Sequence, residues 1–122
     1  MDHNLEDYAK YFLEVSSEQR LKIIQLIEEG EYTLTEMAKK LDATKPEVHR
    51  NLDRLEKSGF IMKNIKGHFD LTTLGQMVLG LIPNLAFVIE NKKYFLEHPI
   101  NSLPHKFISR LGELYELSLI HI

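Results

Sequence analysis

The sequence contains no cysteine. This absence excludes disulfide bonds, thiolate metal sites and a cysteine nucleophile. It fits a reducing compartment without requiring one, and we expect a cytoplasmic protein. The remaining composition, 43% apolar and 27% charged residues, is that of an ordinary globular chain. At 122 residues the chain is expected to form one domain, or one compact domain with a helical extension.

Targeting segments and long apolar runs are also lacking. The N-terminus, MDHNLEDYAKYF, is acidic and has no basic region followed by an apolar run, so it is not a signal peptide. The most apolar stretch, Met77 to Ile89, is about 13 residues long and is interrupted by Pro83 and Asn84. That length is too short to cross a bilayer, so we expect no membrane partner.

Motifs of catalytic and metal sites are missing as well. The six histidines are scattered, with no His-x-His pair and no HExxH motif, so we expect no metal and no cofactor. The glycines are isolated and form no phosphate-binding loop, and no serine lies in a nucleophile-elbow setting. The carboxylates form no recognisable acid/base pair. These absences argue against an enzyme.

The net charge is small, but the charged residues are unevenly distributed along the chain. The net charge is −3, and four acids stand against Lys10 in residues 1–16. Residues 44–68 hold six lysines and arginines against three acids, which makes this segment +3, with His49 and His68 as further donors. A local basic face on an acidic chain suits selective contact with an anion.

Capping signals and apolar periodicity predict helices in the first half of the chain. Residues 4–15 form a short amphipathic pattern, and the next helix ends at Gly30. Three pairs resemble capping boxes at helix starts: Ser16 with Gln19, Thr33 with Glu36, and Thr44 with Glu47. The last two of these helices are short and separated by a short turn, which is a helix-turn-helix pattern.

The periodicity then changes to that of strands. Val48, Leu52 and Leu55 form the buried face of the preceding helix, which ends at Ser58-Gly59. Residues 60–64 and 68–71 are β-like, and Gly67 suits the positive φ of a tight hairpin. The order of helices and hairpin predicts a winged helix-turn-helix, a mainly α fold with a small β-hairpin wing (α+β).

Further helices follow the hairpin. Thr72 or Thr73 begins one, Pro83 ends or kinks it, and the helical pattern resumes over residues 84–96. A last helix is expected at about residues 104–117. We place the DNA-binding domain at residues 1–73, and a C-terminal helical extension at 74–122.

The segment RLKIIQLIEEGEYTLTEMAKKLDATKPEVHRNLDRLEKSGFI, followed by GHFDLTTLG, resembles archaeal winged-helix regulators related to the arsenic-repressor-type group. The segment LIPNLAFVIENKKYFLEHPINSLPHKFISRLGEL resembles the start of the second domain of methanogenesis-regulator-type proteins. Such regulators are about twice this length, and the terminal LSLIHI does not match them. The resemblance implies a DNA-binding regulator, here a fragment or a chain with an unusual terminus.

The candidate DNA contacts lie on the predicted helix that begins at Thr44 and on the hairpin. Arg50 is the best candidate for bidentate contact with guanine in the major groove, and the first helical turn suits a phosphate. Hairpin cations would meet the backbone or an adjacent minor groove. The predicted contact residues to double-stranded DNA are Thr44, Lys45, Pro46, His49, Arg50, Arg54, Lys63, Lys66 and His68.

Apolar residues in excess of one helix face predict a homodimer. Winged-helix repressors commonly pair through terminal helices and bind two half-sites. The predicted dimerisation residues are Tyr8, Tyr11, Phe12, Leu74, Met77, Val78, Leu81, Leu85, Val88 and Phe95.

Three functions remain open from sequence. The first is a homodimeric DNA-binding transcriptional regulator. The second is a winged helix used only for protein–protein contact or dimerisation, which would have no need of the basic face. The third, a small-molecule sensor, is disfavoured by the short second domain, and its effector is unknown.

Overall fold

The computed structural model describes residues 4–102 together with residues 104 and 105. Its elements are α1 (Leu5–Val15), α2 (Glu18–Glu29), α3 (Leu34–Leu41), α4 (Lys45–Lys57), β1 (Ile61–Lys63), β2 (Phe69–Leu71), α5 (Thr73–Glu90), α6 (Lys92–Glu97) and a 3-10 turn at Ile100–Ser102. The helix predicted at about 104–117 and the tail LSLIHI lie almost entirely outside the described residues. The predicted winged helix-turn-helix is confirmed.

Threonine caps set the starts of α3 and α4, as predicted. At α3 the Thr33 hydroxyl accepts the Glu36 amide at 3.1 Å, and the Glu36 carboxylate accepts the Thr33 amide at 2.8 Å. At α4 the Thr44 hydroxyl accepts the Glu47 amide at 3.3 Å, which is one half of a capping box. These bonds satisfy amides that have no partner within the helix.

The cap of α2 lies one residue later than predicted. The Ser17 hydroxyl accepts the Arg20 amide, whereas Ser16 follows the end of α1 and donates its hydroxyl to the Leu13 carbonyl. Adjacent serines give the same local signal, so the choice depends on where α1 stops. Gly30 ends α2 as predicted.

The helix-turn-helix and the hairpin share one apolar core. The hairpin packs on α2 and α4, and α3 packs on both of those helices. Phe60, Ile23 and Leu55 are among its fully buried side chains, and the predicted face of α4 lies inside it. The core consists of Ile23, Ile24, Ile27, Met37, Ala38, Val48, Leu52, Leu55, Phe60 and Ile61.

The wing is a two-stranded antiparallel hairpin. Ile61 lies opposite Leu71, and Lys63 lies opposite Phe69. Gly67 has φ +82°, in the left-handed region that favours glycine, as the sequence predicted. The turn is therefore fixed by backbone conformation while its side chains stay available to solvent.

The helix after the hairpin corrects two predictions. α5 runs continuously from Thr73 to Glu90 with Pro83 inside it, so Pro83 does not end the helix. Its 18 residues have a mean hydropathy of 1.4 and are 6% buried, so by length and composition it could cross a bilayer. The stretch judged too short for a span is therefore part of a longer helix. The core helix of a soluble protein passes the same test, so one such helix is weak evidence for a membrane span.

Contacts divide the chain into two compact units. The first covers residues 1–79 and the second residues 80–122, so the division falls within α5. The first unit contains the helix-turn-helix and its wing. In the second, Tyr94 stacks on His98 with ring centroids 4.0 Å apart.

Candidate nucleic-acid interface

The hairpin side of α4 opens onto a cleft. The cleft has a volume of about 370 Å³ and lies between α4, the start of α3 and the hairpin. Its apolar lining includes Met37, Leu52 and Phe69. His49 from α4, and Lys63 and His68 from the hairpin, line it too. The structure thus brings three predicted contact residues together from two elements.

The outer side of α4 faces solvent. Lys45, Pro46 and Arg50 are exposed, and Thr44 is exposed at the helix N-terminus. No intramolecular bond of the Arg50 guanidinium is recorded within the described part of the chain, so its planar donors can meet an external acceptor. The Lys45 amide lies at the same end, where the helix dipole favours an anion, whereas the Glu47 amide is bonded to Thr44.

One acidic residue beside this surface is neutralised in place. Asp53 lines the cleft, and its carboxylate lies 2.9 Å from the Lys57 ammonium. The pKa of Lys57 is raised, first by this hydrogen bond and then by the charge of Asp53. The pair leaves Asp53 less repulsive to a phosphate than the sequence alone implied.

The hairpin presents cations at its edge and tip. Lys66 is exposed, and Lys63 holds its ammonium 5.8 Å from the centre of the Phe69 ring. The Asn64 side chain accepts the amides of Lys66 and His68, at 2.9 and 3.1 Å. Asn64 therefore orders the turn that carries these cations, a role that the sequence reading missed although Asn is typical of turns.

Arg54 lies on the opposite side of α4 and is already bound. Its Nε and Nη2 atoms donate to the two carboxylate oxygens of Glu14 on α1, each at 3.1 Å. The pKa of Glu14 is lowered, chiefly by the hydrogen bond from Arg54 and further by the charges of Arg54 and Arg20. Arg54 lies one helical turn after Arg50, and it differs from Arg50 in that a carboxylate of the same chain already binds its guanidinium.

A buried arginine next to this pair escaped the sequence reading. Arg20 is only 7% exposed and donates to the carbonyls of Leu13 and Glu14 and to the Asn51 side chain. Arginine in an amphipathic helix reads as a surface residue, because the pattern of α2 alone does not reveal what packs over it.

The predicted dimerisation residues fall into two environments. Val78 is partly buried against the core of its own unit, and Phe95 contacts Phe87 and Tyr94 edge-on. The others are exposed: Tyr8, Tyr11, Phe12, Leu74, Met77, Leu81, Leu85 and Val88. Exposure leaves these side chains available to a partner.

Among residues 4–102, 104 and 105, no group of three or more His, Asp or Glu side chains could hold a metal ion.

Three solved structures share the fold of this chain. The transcriptional repressor BigR from Xylella fastidiosa is 27% identical, with a TM-score of 0.54, and the match covers 66% of this chain and 85% of that chain. The homodimeric winged helix-turn-helix DNA-binding domain of Mb0332 from Mycobacterium bovis is 19% identical, with a TM-score of 0.58 and coverage of 86% and 95%. The multiple antibiotic-resistance repressor MarR from Listeria monocytogenes is 18% identical, with a TM-score of 0.56 and coverage of 98% of each chain.

No curated protein sequence matches this chain significantly. BigR is a transcriptional repressor, MarR is a multiple antibiotic-resistance repressor, and Mb0332 is described as a possible ArsR-family transcriptional regulator. One family model, described as the HVO_A0261 N-terminal domain, matches residues 9–93, which include the helix-turn-helix, the wing and α5. This winged-helix chain therefore belongs to the HVO_A0261 N-terminal domain family.

Proposed function

We propose that this chain is a sequence-specific DNA-binding transcriptional regulator that acts as a homodimer in the cytoplasm. The observation that carries the proposal is the shared cleft, which His49 of α4 lines together with Lys63 and His68 of the hairpin. A winged helix that reads DNA must present its recognition helix and its wing to the same duplex. The cleft places cationic and polar groups of both elements where one strand could pass.

In this proposal α4 enters the major groove with its N-terminal half. Arg50 offers bidentate donors to a guanine, and Lys45 and His49 read or position alongside it. Thr44 and the Lys45 amide, next to Pro46, hold a phosphate at the start of the helix. On the wing, Lys63, Lys66 and His68 meet backbone phosphate or an adjacent minor groove. Arg54 stands apart from this set because Glu14 already binds its guanidinium.

The homodimer would form through α1 and α5. Phe12 on α1 is 71% exposed and Leu81 on α5 is 55% exposed, as are several neighbouring apolar side chains. Large exposed apolar side chains of this kind mark an interaction site on each helix. A two-fold dimer then matches two half-sites. The archaeal origin, the DNA-binding domain at 1–73 and the methanogenesis-regulator-type second domain beginning within 74–122 are also part of the proposal, with the effector unidentified.

The alternative is a winged helix that contacts only protein. Its specific support is the acidity of the cleft, which Asp53 and Glu56 line beside the cations. Carboxylates there would repel a phosphate backbone. The Asp53–Lys57 pair weakens this objection, so we favour DNA.

Selection of a DNA site, followed by fluorescence anisotropy measurements of binding to it, tests the proposal. A tight-binding duplex is first selected from a randomised DNA library, and binding is then measured over a salt series. We expect Arg50→Ala to weaken binding to the selected duplex by about tenfold or more. We expect Lys66→Ala to weaken binding to all duplexes and to reduce the salt slope by about 0.9.

Lys22→Ala provides the matched control. Lys22 is exposed on α2 and, among the described residues, its ion pair is with Glu18, so its loss changes the net charge equally without touching the proposed surface. Its binding should remain close to that of the wild type. Absence of wild-type binding at about 50 mM salt, where phosphate contacts are strong, would overturn the regulator proposal and favour a protein partner.

A further inference from the structure

The C-terminal end of α1 is held by a side chain from α2. Carbonyls in the last turn of a helix have no partner within that helix. The buried Arg20 guanidinium donates to two of them, on Leu13 (3.1 Å) and Glu14. A cation at this end also interacts favourably with the helix dipole. Arg20 thus fixes where α1 ends relative to α2.

The same guanidinium reaches the recognition helix. Arg20 Nη1 donates to Asn51 Oδ1 at 3.1 Å, and Asn51 in turn donates to the Gln19 side chain. Both ends of the Asn51 amide are therefore used, one as acceptor and one as donor. This arrangement sets the rotation of α4 about its own axis, because Asn51 lies on the side of α4 that faces α1 and α2.

A second bond joins α1 to α4 directly. Glu14 and Arg54 form a two-point pair, and such forked pairs fix orientation as well as distance. Arg54 lies three residues after Asn51, so both side chains project from one side of the helix. The Glu14 side chain is 23% exposed and that of Arg54 is 43% exposed. Solvent screening at that exposure limits the stability contributed by the pair, whereas its geometric constraint remains.

We propose that Arg54 is a positioning residue and not a DNA contact. Together with Glu14, Arg20 and Asn51 it locks α4 to the C-terminal end of α1. This inference rests on the proposed function, in which α1 contributes to the dimer and α4 reads DNA. The lock then sets the distance and angle at which two copies of α4 meet two half-sites.

The consequence for DNA is a preference for one half-site spacing. A rigid link between the dimer helix and the reading helix penalises operators whose half-sites are moved closer or further apart. A loosened link lets α4 adjust, so it lowers affinity for the best spacing and reduces discrimination among spacings. A lost phosphate contact acts differently, because it weakens every duplex alike and lowers the salt dependence.

The experiment compares Glu14→Gln, Arg54→Gln and the double variant on duplexes that differ only in half-site spacing. We expect both single variants to weaken binding at the preferred spacing by a similar factor, about three- to tenfold, and the double variant to be no worse than either. Discrimination among spacings should shrink in all three. The salt slope and the binding of a single half-site should stay unchanged.

A charge swap separates positioning from direct contact. The double variant E14R/R54E restores the pair with the charges exchanged, and it should recover affinity and spacing preference that R54E alone loses. Failure of the swap, with a salt slope reduced by about 0.9 in Arg54→Gln, would make Arg54 a DNA contact and overturn the inference.

The two proposals fail in different ways. If the wild type binds no DNA, the regulator proposal fails and this inference falls with it. Only the positioning inference is refuted if the wild type binds DNA and Arg50→Ala weakens that binding, but Glu14→Gln changes neither the affinity nor the spacing preference.

Discussion

A Cβ atom on Gly75 would overlap the carbonyl oxygen of Phe60, which already accepts the Thr72 amide at 3.1 Å. Gly75 is the buried residue of α5 and lets the helix start directly against the end of α4 and the hairpin. Glycine is needed here for close approach, since no positive φ is involved at this position.

We therefore expect Gly75→Ala to lower the free energy of unfolding by about 1–3 kcal/mol, the usual cost of overpacking. Chemical denaturation followed by circular dichroism measures the change. Gly80→Ala is the matched control, because a Cβ there meets nothing within 4 Å and α5 continues through it. That variant should gain up to about 1 kcal/mol from helix propensity. Equal effects of the two substitutions would contradict the packing explanation.

Replacing Arg20 should reveal its role as a buried donor. Arg20→Met keeps an unbranched apolar stem but leaves the Glu14 carbonyl and the Asn51 Oδ1 atom without this donor. The Leu13 carbonyl loses one donor and keeps that of Ser16. We expect a loss of about 1–3 kcal/mol in the free energy of unfolding. The control Lys22→Met removes an exposed cation from the same helix and should change stability by less than about 0.5 kcal/mol. A smaller loss for Arg20 than for Lys22 would refute this account.

Acid should remove the contribution of the Glu14–Arg54 pair. Because the folded-state pKa of Glu14 is lowered by Arg54, the pair stabilises the folded state at neutral pH. That contribution declines as the pH falls below about 4.3, the value for an unstructured glutamate, and is gone once the pH has passed below the folded-state pKa. Arg54 stays charged throughout, since its own pKa is raised.

The measurement is the stability difference between wild type and Glu14→Gln at several pH values. At pH 7 we expect the wild type to be more stable by about 0.2–1 kcal/mol. The difference should shrink steadily on acidification. A difference that stays constant with pH would show that the Glu14 charge is not its source.

Charges introduced into the exposed apolar surface should separate the dimer. We expect Phe12→Glu and Leu81→Glu each to shift the mass in sedimentation equilibrium from dimer to monomer, since a buried unpaired charge is costly. Ile65→Glu is the control, because Ile65 is fully exposed in the hairpin turn and outside the proposed interface.

The same surface allows a test against a bilayer. Flotation of the wild type with lipid vesicles should leave the protein in the aqueous fraction, because we assign the apolar side chains of α5 to a second copy. Co-flotation of the wild type, with the mass unchanged in Leu81→Glu, would instead identify α5 as a membrane-associated helix.

Local signals account for what the sequence predicted well. Thr33 and Thr44 start helices, Gly30 ends one, and Gly67 takes positive φ, each because a nearby backbone group demands that side chain or its absence. The buried face of α4 followed from its spacing. These features depend on residues within a turn or two of each other, so they can be predicted from the sequence alone.

The misreadings involve partners distant in sequence or competing local effects. The Arg20–Asn51 and Glu14–Arg54 bonds span 31 and 40 residues, so neither side chain identifies its partner locally. Pro83 removes only one amide donor, and the apolar period continues from Leu81 to Leu85 across it. Of the two effects predicted for Pro83, an end or a kink, the end is therefore wrong.

The burial of Arg20 also has a consequence for cutting the molecule into smaller pieces. A fragment beginning at α2 would contain the whole helix-turn-helix and wing, and so would look sufficient for binding studies. Such a fragment would leave the Arg20 guanidinium without its two carbonyl acceptors on α1. It would also remove Tyr11, whose ring contacts the Phe60 ring edge-on with centroids 5.9 Å apart. The smallest useful fragment therefore has to include α1, although α1 contributes no side chain to the proposed DNA surface.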